Sequence, residues 1–224
     1  MKTISLYSLC IIALLFQSCG DSTAPTNEPD LIDARNNRTY KTVKIGSQVW
    51  MAENLDVATF RNGDIIPEAR TAEEWMNAQS PAWCYYMNDP NNTGKYGKLY
   101  NGYAVRDPRG ISPEGWHVPS DDEWTVLSSF LGGDSIAGGK MKSTTDWYSP
   151  NVNATNSCGF NGKAIGHRDV KGIFSAFVSE NRFWSSTLSA WNSLYVRYLS
   201  HTDNVFGKGS NTSERGLSVR CVKN

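Results

Sequence analysis

The chain is poor in the residues that announce chemistry. It has three histidines, His117, His167 and His201, and none stands in a recognisable pairing. Its 22 Lys and Arg balance 22 Asp and Glu, with no basic cluster, so it has little electrostatic pull on nucleic acid or on an anionic membrane surface. After residue 20 no apolar run is long enough to span a bilayer, so any anchor must be lipid. Trp184-Ser185-Ser186-Thr187 lacks the flanking glycines of a nucleophile elbow. His167-Arg168-Asp169 sets a base beside an acid, but on a strand neighbouring side chains point to opposite faces. Paired carboxylates are always formally available among so many acids and signal nothing. No repeat is present, and no linker-like composition interrupts Asp33 to Asn224, so residues 33–224 read as one domain. These absences leave no catalytic residue and no cofactor or metal to name.

What is present begins with an export signal. Lys2 precedes the mostly apolar run Ile4–Phe16, too short for a membrane span. Leu14-Leu15-Phe16-Gln17-Ser18-Cys19 resembles a bacterial lipobox, which implies a signal peptide over residues 1–18 and a lipid on Cys19. Phe16 and Gln17 depart from the strict pattern, and an ordinary secretory signal cut near Ser18 or Cys19 is the alternative. Asp21–Asp30 has two prolines and no large apolar residue, so residues 19–32 read as a flexible tether. Gly20 stands where an inner-membrane retention signal would place Asp, which favours an outer-membrane or cell-surface lipoprotein.

Cys84, Cys158 and Cys221 remain. In an exported chain two of the three can pair, in three ways. Cys84 lies in an aromatic, strand-like run and Cys221 in the last strand, so a Cys84–Cys221 disulfide is the preferred pairing, with three free thiols as the alternative. Such a bridge would stabilise by about 4–5 kcal/mol on the chain-entropy model.

The element pattern is α+β. Gly46-Ser47 joins the strand-like runs Tyr40–Ile45 and Gln48–Met51 as a two-residue hairpin turn. Two main helices have clear starts: Thr71 caps Ala72–Gln79 and Ser120 caps Asp121–Leu131, each with Glu three residues on. Trp124, Leu127 and Leu131 share a core-facing stripe, with Val126 and Phe130 beside it. From Ile165 onward only short strands are predicted, at 173–178, 183–187, 193–200 and 217–222, among irregular loops.

Trp83-Cys84-Tyr85-Tyr86, Lys95–Asn101, Trp116–Trp124, Gly138–Lys142, Phe183–Thr187 and Ser218–Val222 are fixed phrases. Together they resemble the Fibrobacter succinogenes major paralogous domain, over about Asp33 to Asn224. The resemblance implies a C-type-lectin-like fold, similar to formylglycine-generating-enzyme-like domains, in a surface lipoprotein with no established activity. The copper-binding cysteine pair of those enzymes has no counterpart among Cys84, Cys158 and Cys221. Asn88–Gly94 offers oxygen ligands for calcium, but it lacks the spaced acids of an EF-hand loop and reads as a plain turn. Trp191-Asn192 is followed by Ser193, not by the Asp of the sugar-binding signature.

In lectin-like domains the ligand surface often lies in the C-terminal region. Here that region crowds aromatic residues among polar ones, and its exposed members are expected to bind. The expected contacts are Trp191, Asn192, Tyr195, Arg197 and Asn204, and the expected partner is a glycan or a surface protein. The expectation is therefore a lipid-anchored envelope binding module. A structural envelope component and a formylglycine-generating-like enzyme are the competing readings.

Overall fold

The computed structural model describes residues 26–224. The expected signal peptide, the expected lipid site Cys19 and the first part of the expected tether lie outside the described residues. Within them the chain is α+β, with four helices and two principal sheets.

The first sheet orders Thr26–Asn27, Thr42–Ile45, Gln48–Met51, Val222–Lys223 and Trp116–His117 side by side. Ile45 faces Gln48 across the Gly46-Ser47 turn, where Gly46 takes φ +61°. Thr26 pairs with Lys44, and Leu31–Asp33 pairs with Arg38–Tyr40. Within the stretch expected to be a tether, residues 19–32, Thr26–Asn27 and Leu31–Ile32 thus lie in strands. From Thr26 the backbone finds partners on strand edges, which polar composition alone does not reveal.

The second sheet is built around the long hairpin Glu180–Ala190 and Ser193–Ser200. Gly207–Thr212 pairs with its outer strand, and Gly216–Ser218 lies parallel to its inner strand at Phe183. Of the strand predicted at 173–178 only Phe174–Ser175 forms, and the 217–222 prediction splits into Gly216–Ser218 and Val222–Lys223.

Helix α1 (Ala72–Asn77) carries the capping box read at Thr71, and it ends two residues early. Helices α2 (Gly102–Arg106), α3 (Asp121–Phe130) and α4 (Asp134–Met141) follow, of which α2 and α4 add to the two expected. On α3, Trp124, Leu127 and Leu131 are buried as patterned, but Val126 is exposed. Trp124 meets Trp50 at 4.6 Å between ring centroids and also packs on Phe160, Phe183 and Phe206. Burying aromatic rings in this way gives both area and orientation to a core between irregular loops.

Those loops are held by buried cations. Lys142 donates its three N–H groups to the carbonyls of Val152 at 2.9 Å, Ser200 at 2.8 Å and Asp203 at 2.6 Å. Arg168 bonds the carbonyls of Ala69, Arg70, Thr71 and Gly172, and lies between the rings of Trp75 and Phe174. Arg220 bonds Met51 O, Phe160 O and, twice, Asn54 Oδ1. Loop carbonyls shielded from water need donors that no ladder supplies, and each cation gathers several of them at one point.

The three cysteines are free and buried, each in a different apolar cluster. Cys84 packs with Trp75 and Leu99, Cys158 with Phe160 and Leu131, and Cys221 with Val219 and Trp116. The expected Cys84–Cys221 disulfide is therefore corrected: Cys84 lies in a strand of the second sheet, Cys221 lies in the link between Gly216–Ser218 and Val222–Lys223, and each thiol behaves as a small core hydrophobe. Burial pushes the Cys84 and Cys221 thiols up to about 12 and that of Cys158 to about 11, so none is a ready nucleophile.

Candidate binding surface

The long hairpin closes on a two-residue turn, Trp191-Asn192, between the paired residues Ala190 and Ser193. Trp191 has a left-handed backbone, φ 44°, where Gly, Asn or Asp is the usual choice. Its side chain is 98% exposed, so no packing offsets that strain. Leu188, on the same hairpin, is half exposed.

The base of the tip is fixed by its neighbours. Asn192 Nδ2 donates to Tyr103 Oη and to Glu214 Oε1, both at 3.0 Å, and its carbonyl accepts from Ser213 N at 2.9 Å and Oγ at 3.0 Å. Arg106 on α2 donates to Asn192 Oδ1, and Trp75 Nε1 donates to the Glu214 carbonyl. Partial burial works against the charge of Glu214. Bonds from Thr212, its own backbone N–H, Tyr103 and Asn192 outweigh that and hold its carboxyl below the ordinary range. The result is a bare indole on an anchored stem.

The other expected contacts do not converge on the tip. Tyr195 is half-buried, with Lys208 Nζ 4.3 Å from its ring centroid. Arg197 is 1% exposed and cannot meet a ligand. It donates to Asp134 Oδ1 at 3.2 Å and Thr125 Oγ1 at 2.8 Å and faces Asp121 at 3.4 Å, tying the hairpin beneath α3 and α4. Asn204 sits beyond the far end of the outer strand, whose eight residues span roughly 25 Å. There its carbonyl accepts from Gly139 N at 3.2 Å. Of the five residues, the structure leaves Trp191 alone at the apex, with Asn192 as its anchor.

One pairing escaped the sequence reading. His167 Nε2 lies 3.0 Å from Ser175 Oγ, across the ladder between their two strands. Neither spacing nor motif signals it, because only the strand register brings the two together. Burial, with Arg182 nearby, lowers His167 to about 4, and its Nδ1 has no partner among the described residues. A general base at neutral pH wants a pKa near 7 and a third group to orient the ring, so this pair is poorly placed for acyl transfer. The Asn88–Gly94 oxygens serve their own surroundings: Asp89 Oδ1 accepts from Asn91, while Thr93 and Gly94 donate to Asp56. Among the described residues no group of three or more His, Cys, Asp or Glu is placed to hold a metal ion.

The family model of the Fibrobacter succinogenes major domain matches residues 43–223. No curated protein and no solved structure matches the chain. The matched span takes in both principal sheets apart from Thr26–Asn27 and Thr42, the buried cations Lys142, Arg168, Arg197 and Arg220, and the hairpin tip, and the chain belongs to the Fibrobacter succinogenes major domain family.

Proposed function

We propose that the protein is an exported, lipid-anchored binding module of the cell envelope that recognises a glycan or a surface protein without catalysis. The observation that carries this reading is Trp191: a large aromatic ring, fully in water, on a stem secured by six hydrogen bonds. An indole offers area that is rigid on one side and polar at its edge, which suits a sugar face or a protein hot spot. A C-type-lectin-like scaffold, which presents its recognition loops from a stapled framework, is the finer fold reading that accompanies it. The Leu14–Cys19 segment supports export with lipid on Cys19, and through it an outer-membrane or surface location.

The test is an array of glycans and envelope proteins probed with the full protein and with Trp191→Ala. A ligand bound by the wild type should lose about 2 kcal/mol or more of affinity on truncation of a hot-spot indole. Undiminished binding by the variant would remove the tip from the site. The intact mass of the native N-terminus tests the anchor separately, and an unmodified residue there would end that part of the reading.

A further inference from the structure

Arg220 differs from Lys142 and Arg168 in what surrounds it. Lys142 spends each of its three N–H groups on a carbonyl, and Arg168 is enclosed between two rings. Arg220 is 1% exposed and has five N–H groups, of which four meet Asn54 Oδ1, Met51 O and Phe160 O. Among the described residues the fifth, on Nη2, has no acceptor, and no carboxylate touches the guanidinium. Arg220 also lines a cavity of about 30 Å³, walled by Ala52, Glu53, Asn54, Lys95, Asn161 and Lys163.

The charges around the cavity do not cancel. Lys95 and Lys163 share one carboxylate, Asp146, at 2.7 Å and 3.8 Å. With Glu53 as the other acid, three cations stand against two anions, a surplus of one positive charge. Burial lowers Arg220 to about 9, the response of a cation without a close counter-ion. A cavity of this volume holds a water or two, a halide, or one carboxylate group. Placing an anion there would give the spare Nη2 hydrogen its acceptor and cancel the surplus.

We propose that this cavity is a binding site for a small anion of carboxylate or halide size, held by Arg220 Nη2 at its floor and by Lys163 and Lys95 at its mouth. The site shares no residue with the Trp191 tip and stands independently of the reading given to that tip.

Titration calorimetry of the full-length protein with sodium acetate, at constant ionic strength set by the bulkier methanesulfonate, tests it. Saturable binding is expected, weakened about tenfold or more in Lys163→Ala through loss of one charged hydrogen bond, and kept in Lys163→Arg. Lys163 is on the rim, so these variants are expected to fold even where Arg220 variants do not. Bromide-soaked crystals should show anomalous density within hydrogen-bond distance of Arg220 Nη2. Absence of saturable heat would overturn the proposal, and bromide density without it would mean an adventitious ion only. Equal affinity in Lys163→Ala would overturn the assignment to this cavity.

Discussion

Trp191 and Arg197 stand six residues apart on one hairpin and at opposite extremes of exposure, 98% against 1%. Composition alone would assign them the other way round. The inversion follows from what each environment lacks. Beneath α3 and α4 lie the buried acid Asp121, the exposed acid Asp134 and the Thr125 hydroxyl, and Arg197 supplies a fork that reaches all three. At the turn nothing approaches closely enough to cover an indole, and the backbone conformation there does not favour one either. The terminal nitrogens of the buried guanidinium are thus met by their surroundings, with Nε alone unpartnered among the described residues, while no intramolecular contact accounts for the exposed ring. That asymmetry separates the framework from the proposed recognition surface.

If the framework is held by cations, removing one should cost far more than a surface change. Lys142→Met removes the donor of three part-buried carbonyls, and a loss of about 3 kcal/mol, or outright failure to fold, is expected from urea denaturation. A smaller effect concerns His167. Its folded pKa, about 4, lies below the unfolded value of 6.5, so the unfolded chain binds more protons between those values. Stability from this group is fully present above pH 6.5 and falls as the pH drops towards 4. Between pH 7 and 5 the loss should be about 2 kcal/mol, and His167→Gln should remove most of that dependence. The smallest effect has the opposite sign. Val178 is β-branched yet held at φ 53°, next to Phe177, which stacks on Tyr86 at 4.8 Å. Glycine adopts that conformation freely, so Val178→Gly should stabilise the protein by about 1 kcal/mol.

The parts of the fold legible in the sequence were those with local rules. Thr71 and Ser120 announce their helices because a capping box is complete within four residues. Helix α4 was hidden by Gly138-Gly139, which reads as a turn. The structure needs both glycines inside a helix because a Cβ on Gly138 would strike the Val205 carbonyl, and one on Gly139 would lie 2.7 Å from Asn153 O. Close approach between distant segments has no local signature. The same holds for the cysteines, whose separation into three clusters depends on the sheet arrangement. The candidate site was half legible. An Asn-rich aromatic stretch drew attention to Trp191, but which neighbours face water was decided by the acids of α3 and α4.

The most direct test measures urea denaturation of Trp191→Ala and Arg197→Met side by side. The account predicts that Trp191→Ala keeps the wild-type stability to within about 0.5 kcal/mol, as for a surface position. Arg197→Met should lose about 3 kcal/mol or more, because Thr125 loses its donor and Asp121 keeps only the part-exposed Lys208 as an ion-pair partner. Equal losses in the two variants, or a larger loss at Trp191, would contradict the division between a stapled framework and a free recognition tip.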